Sequence, residues 1–168
     1  MKYNDAKDKF IQAWGTLGSN WGINRTMAQI HALLLISPNS LSAEEIMEDL
    51  KISRGNANMN LRDLIDWGLI YKEIKAGERR EFFHAEKDIW KAAKQIIKER
   101  RRRELEPVLK VLEEVKHIDG DKNDKKNKAF VDSITHLQGV VEKADYAFEK
   151  MVKFDENAFV STLLKLLK

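Results

Sequence analysis

The 168-residue sequence predicts a mainly α-helical protein with one small two-stranded β-hairpin. Only two prolines and eight glycines interrupt the chain, and apolar residues recur every three or four positions along most of it. Residues 69–84 are instead rich in β formers around a glycine-containing turn. With 43% hydrophobic and 34% charged residues, the composition is that of a soluble globular protein of one domain, or of one domain with an appendage.

Helical spacing predicts two helices in the first 36 residues. The first has one apolar face and ends at Gly18, whereas the second is apolar almost all round and should be buried, with Pro38 closing it. A capping box of Ser42 and Glu45 then starts a short third helix that ends near Leu50. The apolar positions are Phe10, Ile11, Trp14 and Leu17 in the first helix, and Met27, Ile30, His31, Leu34 and Leu35 in the second.

A fourth helix and a hairpin follow a tight connection. Ser53 caps this helix and Gly68 ends it, with the apolar positions between them on one face. The hairpin strands are predicted at residues 69–74 and 80–84, and Ala76-Gly77-Glu78 forms the turn of a charged tip.

The rest of the chain is predicted to be helical apart from one polar loop, residues 119–127. Asp88 caps a long helix in which Pro107 predicts a kink or break around Glu106, and Asp155 caps a last short helix. Between the loop and that helix, apolar residues step by four and three, the spacing of a heptad seam that requires a partner helix. They are Phe130, Ile134, Leu137, Val141, Ala144, Phe148 and Met151.

This order of elements is that of a winged helix-turn-helix domain, in which the second helix of the turn unit enters the DNA major groove. It predicts an N-terminal dimerisation helix at 1–22, a DNA-binding domain at 23–87 and a helical dimerisation region at 88–168. The charge supports this interpretation, because residues 51–103 carry 15 Lys and Arg against 8 Asp and Glu. A solvated basic helix face is the alternative explanation.

Candidate DNA-reading residues lie on the fourth helix and the hairpin. With Leu61 at the centre of the buried face, Asn56, Met59 and Asp63 lie opposite the core, and Asn60 lies to one side. Three asparagines in five residues weaken a helix, which favours a base-reading role over tolerated surface positions. The predicted DNA-binding set is Ser53, Arg54, Asn56, Asn58, Met59, Asn60, Arg62, Lys75, Arg79 and Arg80.

Several segments together resemble the GbsR branch of the MarR-like regulators. They are residues 54–64 and 66–69, Trp14-Gly15, residues 21–26, the hairpin tip at 77–81 and residues 99–104, and they cover about the first two-thirds of the chain. The resemblance implies a dimeric DNA-binding transcriptional regulator, often a repressor. It also implies an effector, since the family includes a choline-responsive regulator of glycine betaine synthesis; nothing in the spacing of residues indicates choline.

Other chemistries fit the sequence poorly. The segment starting at Asp119 fails the EF-hand template, because position six is Asp124 and position twelve is Phe130. The four histidines form no metal-ligand pair, cysteine is absent and no catalytic motif occurs. We therefore expect no enzyme activity, no catalytic residues, no cofactor and no metal.

Two further groups of residues have competing interpretations. Trp14, Trp21 and Trp90 could form an effector site of the aromatic-cage kind, with Trp67 and Tyr71 nearby, or could simply be core residues. The run Arg100 to Arg103 spans slightly more than one helical turn, so these side chains should pair with Glu99 and Glu104 instead of reading DNA.

The sequence thus predicts a sequence-specific DNA-binding transcriptional regulator, a repressor that binds a palindromic operator in double-stranded DNA as a homodimer. A small-molecule effector is a further expected partner. The alternative is a winged-helix module for protein–protein assembly without specific DNA binding. Because the chain has no signal peptide, no apolar run long enough for a membrane span and no cysteine, a cytoplasmic location is expected.

Overall fold

The computed structural model describes residues 1–118 and 124–153, which divide into two compact units between Ala92 and Ala93. The first unit has the predicted order of elements. Its helices are α1 (Tyr3–Asn20), α2 (Arg25–Ile36), α3 (Ala43–Leu50) and α4 (Arg54–Asp66), and its strands are β1 (Leu41–Ser42), β2 (Ile70–Ile74) and β3 (Glu81–Ala85).

The sheet has three antiparallel strands in the order β1-β3-β2, one more than the predicted hairpin. In the added pair, Leu41 lies opposite Phe83 and Ser42 opposite Phe82. Two residues are too few for an alternating pattern, so β1 is not visible in the sequence. Ser42 also caps α3 as predicted, because its Oγ accepts from Glu45 N at 3.3 Å and the Glu45 carboxylate accepts from Ser42 N at 2.7 Å.

The core of the first unit surrounds α2, as its apolar sequence predicts. Ile30, Leu33 and Leu34 of α2 are at most 1% exposed. Other fully buried side chains come from the elements around α2, namely Ile46 of α3, Leu64 of α4 and Ile70 of β2. The carboxyl end of α2 is capped by Lys87, whose Nζ donates to the carbonyl oxygens of Leu34, Leu35 and Ser37 at 2.9, 2.7 and 2.8 Å.

Helix α5 (Ile89–Arg100) continues into a π-helical turn, Arg101–Leu105, and then into α6 (Glu106–Val115). The predicted disruption near Glu106 is therefore a change of helical winding and not a break. Pro107 lies in the first turn of α6, where a missing N–H is tolerated. The long helix α7 (Lys125–Lys153) carries the predicted heptad seam.

Three arginines of the run form the predicted ion pairs, whereas Arg101 pairs with Glu106 and with Asp145 of α7. Arg102 Nη2 and Arg103 Nε lie 2.6 and 3.2 Å from Glu99 Oε2, and Arg100 Nη1 lies 3.7 Å from Glu104 Oε1. Glu99 is only 8% exposed, and the hydrogen bonds from Arg102 hold its pKa below the ordinary value.

Two predicted features, the polar loop and the last helix, lie partly or wholly outside the residues that the structure describes. The polar loop predicted at 119–127 is described only from residue 124, and residues 125–127 belong to the first turn of α7 instead of a loop. The helix predicted after Asp155 lies outside the described residues. Among the helices that are described, none is both long and apolar enough to cross a membrane.

Candidate nucleic-acid interface

Helices α3 and α4 form the helix-turn-helix unit. Lys51 adopts a left-handed conformation, with φ of 54°, and turns the chain sharply after α3. Ser53 then caps α4 by accepting from Asn56 N at 3.3 Å. Because Ala57, Leu61 and Leu64 are buried, the opposite face of α4 is presented to solvent.

Most of the predicted DNA-binding side chains of α4 are exposed. Met59 is 52% exposed, which is compatible with contact to a thymine methyl group. The other exposed members of the predicted set are Ser53, Arg54, Asn58 and Arg62.

Asn60 is a correction to the predicted set, because it is fully buried and cannot reach a base edge. Asn56, predicted opposite the core, is half-buried. The prediction places Leu61 at the centre of the buried face. At about 100° per residue, however, the centre of the observed buried face lies about 50° away from Leu61, as given by the buried positions Ala57, Asn60, Leu61 and Leu64. An asparagine was not expected on the buried side, since burial of an amide requires hydrogen bonds that no periodicity reveals.

The wing, defined here as β2, β3 and the turn 75–80, is a basic hairpin. Gly77 has φ of +81°, a conformation that favours glycine, and allows the tight tip. Behind the tip, Lys75 Nζ lies 4.0 Å and the Arg80 guanidinium 5.5 Å from the centre of the Phe82 ring. Arg80 also contacts Glu78 at 3.3 Å, so the two cations are held on the wing and not freely extended.

A surface cleft of about 280 Å³ joins the start of α4 to the wing. Four residues of the predicted set line it together: Arg54 and Asn58 of α4 with Arg79 and Arg80 of the wing. Acidic groups also line the cleft, and Glu44 lies 3.7 Å from Arg54. Lys75 lines a different depression, which includes His84 and Lys87.

The base of the wing is tied to the start of α5 by Glu86. Its carboxylate accepts from the Tyr71 hydroxyl at 2.8 Å, from Asp88 N at 3.0 Å and from the Lys91 ammonium. These bonds, that of Lys91 first, lower the pKa of Glu86 to about 2. No sequence motif predicts this cluster, because its members are separated in the chain.

Two of the predicted effector residues, Trp14 and Trp21, have different surroundings. The Trp14 ring lies 5.6 Å from Phe10 and 6.3 Å from His31, whereas Trp21 is 58% exposed. An effector site at Trp14, Trp21 and Trp90 stays a prediction. In residues 1–118 and 124–153, no group of three His, Asp or Glu side chains is placed to hold a metal ion.

The chain is similar to one family model and to solved structures. Residues 21–81, about a third of the chain, match the sequence model of the MarR family. A solved structure described as a transcriptional regulator has 19% identity and a TM-score of 0.56, over 86% of this chain and 99% of that chain. A mutant of S. aureus MepR bound to an oligodeoxyribonucleotide has 16% identity and a TM-score of 0.42, over 80% and 94% of the two chains. No curated protein matches the sequence.

The fold is that of a MarR-type winged helix, with a basic cleft between α4 and the wing. The match to the MarR model lies within the unit that carries this cleft. The likeness to the GbsR branch stays a prediction.

Proposed function

We propose that this protein is a transcriptional regulator that binds double-stranded DNA. The observation that carries the proposal is the cleft in which Arg54 and Asn58 of α4 meet Arg79 and Arg80 of the wing. A recognition helix reads base edges in the major groove while a basic wing contacts the flanking backbone or minor groove, so one cleft can serve both contacts. The MarR match over residues 21–81 supports the same use of the domain.

We further propose that the protein acts as a homodimer on a palindromic operator, and that it is a repressor of the GbsR kind. The apolar seam of α7 supports dimerisation, because Phe130, Leu137 and Phe148 are 42%, 48% and 38% exposed. A two-fold dimer would place its recognition helices about 34 Å apart, one helical turn of DNA. Repression follows where the operator overlaps a promoter.

Selection from a pool of randomised duplexes, followed by binding titrations across a salt series, tests the proposal. We expect an enriched palindromic site and an affinity that falls steeply with salt, because phosphate contacts release counterions. The double variant Arg79→Ala/Arg80→Ala should bind selected and random duplexes more weakly and flatten the slope of log K against log salt by about 0.9 for each lost phosphate contact.

Lys110→Ala, which removes an exposed cation of α6, is the matched control and should leave the slope unchanged. If the wild-type protein enriches no sequence, and wing and control variants behave alike, the protein is not a DNA-reading regulator. The basic cleft would then favour the assembly module with an acidic protein partner.

A further inference from the structure

The buried Asn60 has two well-defined hydrogen bonds to one residue. Its Nδ2 lies 2.8 Å from the main-chain oxygen of Asn56 and 2.7 Å from Asn56 Oδ1. A main-chain carbonyl can only accept, so the Asn60 atom facing it must be the amide nitrogen. Both hydrogens of that nitrogen are therefore used on Asn56.

The same reasoning orients the amide of Asn56. Since Asn60 Nδ2 donates, the Asn56 atom that it contacts must be the oxygen. The Asn56 nitrogen is on the other branch of the amide, 3.4 Å from Thr26 Oγ1 at the start of α2. The geometry thus gives Asn56 one orientation, with its oxygen against a fully buried residue.

Packing alone does not account for an asparagine at this buried position. Asn60 is 0% exposed among apolar neighbours on its own helix, and its Oδ1 accepts no hydrogen bond from the described residues. An unpaired buried carbonyl destabilises a fold, and an apolar side chain at this position would avoid that cost. Asparagine at position 60 is therefore not explained by packing.

We propose that Asn60 is a positioning residue, which fixes the amide of Asn56 in one orientation and thereby sets which hydrogen-bonding groups Asn56 offers to DNA. This inference rests on the proposed function. An asparagine that reads adenine must accept from N6 and donate to N7 at the same time. Asn60 uses one lone pair of Asn56 Oδ1, and Thr26 faces one hydrogen of Nδ2, so Asn56 keeps its second lone pair and its second hydrogen for DNA in fixed positions.

The assignment gives different functions to the three asparagines of α4. Asn58 is exposed and lines the cleft with Arg54, so it is available for direct base reading. Asn56 and Asn60 form a pair that is anchored to Thr26 of α2. The first turn of the recognition helix is thereby fixed to the core by side chains as well as by its backbone.

Base preference in duplex selection is the readout, since a purely structural role would not change which base is preferred. Wild-type protein should show a defined base preference at the position that Asn56 contacts. Asn60→Leu, which fills the space but cannot donate, should release the Asn56 amide and weaken that preference, by about 5- to 150-fold as for one good base contact. Asn58→Ala, in the neighbouring exposed position, should alter a different position and is the matched control.

A double-mutant cycle on the selected duplex tests whether Asn60 acts through Asn56. In the Asn56→Ala background, Asn60→Leu should have no further effect on base preference or affinity. A duplex carrying neutral methylphosphonates distinguishes a phosphate contact, which neutralisation would abolish, from a base contact. Additive effects of the two substitutions, or an unchanged base preference and affinity in a folded Asn60→Leu protein, would overturn the inference.

NMR of the unmodified full chain gives a test that needs no variant. The Asn60 side-chain NH₂ hydrogens should exchange with solvent far more slowly than those of the exposed Asn58. Equal, fast exchange would show that the pair is not locked and would contradict the inference. If instead the amide is locked but the protein selects no DNA sequence, the proposed function fails and the positioning of Asn56 by Asn60 still holds.

Discussion

A Cβ placed on Gly18 would lie 2.6 Å from the Cβ of Ala28, well inside van der Waals contact. Both residues are buried where α1 meets α2. One turn earlier, a Cβ on Gly15 would approach Gln29 Cγ to 2.7 Å. The two glycines therefore let α1 lie directly on the most buried helix of the first unit, and their lack of side chains sets the distance between the helices.

Gly18→Ala should destabilise the protein by about 1–3 kcal/mol, because the added methyl group overpacks a contact between two helices. Gly139→Ala is the control within α7, where a Cβ would meet no atom of the described residues within 4 Å. The second substitution should stabilise the protein by about 0.5–1 kcal/mol through helix propensity. Urea unfolding of both variants measures these changes, and effects of the same sign would contradict the packing argument.

His31 should make stability depend on pH. The ring is 5% exposed beside Trp14, and its Nε2 has no hydrogen-bond partner in the part of the chain that the structure describes. Burial, followed by the charge of Lys87, lowers its pKa to about 4 from an ordinary value of 6.5. The folded protein thus binds a proton less readily than the unfolded chain.

The protein should therefore become less stable as the pH falls, because the unfolded chain takes up the proton more readily than the folded protein. The contribution of the neutral ring is complete above pH 6.5 and is lost as the pH falls toward 4, at no more than about 1.4 kcal/mol per pH unit. His31→Leu should lose less stability than the wild type between these pH values, as measured by denaturant unfolding at each pH. The exposed His136→Gln should behave like the wild type, and parallel curves for all three proteins would exclude a role for His31.

Much of the fold could be predicted because its signals are local. The caps at Ser42 and Ser53, the apolar run of α2 and the glycine turn of the wing each involve residues close together in the chain. Strand β1 could not be predicted, since two residues give no pattern and its pairing partner, Phe83, lies some forty positions later. Tertiary pairing decided its conformation.

The site could be predicted only in part, because some of its side chains are positioned by contacts between residues that are far apart in the chain. Helical periodicity identified the exposed face that includes Met59 and Arg62, because those side chains point away from the core. It failed at Asn60, whose burial depends on hydrogen bonds to Asn56 and through it on Thr26 of another helix. A polar residue on a helix face says little about burial until its partners are known.

Arg101 and Asp145 join the π-helical turn to α7 and should contribute to the stability of the second unit. Their ion pair is bidentate, with Nε–Oδ1 and Nη2–Oδ2 distances of 2.5 and 3.0 Å, and both side chains are partly shielded from solvent. Asp145→Asn should cost about 1–2 kcal/mol, more than an exposed ion pair, because it replaces the bidentate carboxylate by a neutral amide and leaves Arg101 only the contact with Glu106 at 3.6 Å.

Glu104→Gln is the matched control for this prediction. It removes a carboxylate that is 60% exposed and lies 3.7 Å from Arg100, so its effect should be within about 0.5 kcal/mol. Chemical unfolding monitored by circular dichroism compares the two variants. Equal stabilities would show that the contact between the turn and α7 adds nothing beyond apolar packing.

The heptad seam of α7 should form a dimer interface. None of the residues in the described helix is buried, and Leu137 at the middle of the seam is 48% exposed. An apolar stripe of this length is stable in water only when it is covered, and a second copy of the chain offers a matching stripe. Leu137→Glu should therefore give a monomer, because association would bury unpaired carboxylates.

Lys143→Glu, which introduces the same side chain away from the seam on the exposed surface of α7, should remain dimeric. Light scattering coupled to size exclusion measures the mass of each protein. Because two half-sites are read together only by a dimer, Leu137→Glu should also lose affinity for a palindrome while keeping weak binding to a single half-site. A wild-type monomer, or a Leu137→Glu protein that stays dimeric and binds the palindrome as tightly as the wild type, would show that the seam does not join two copies of the chain.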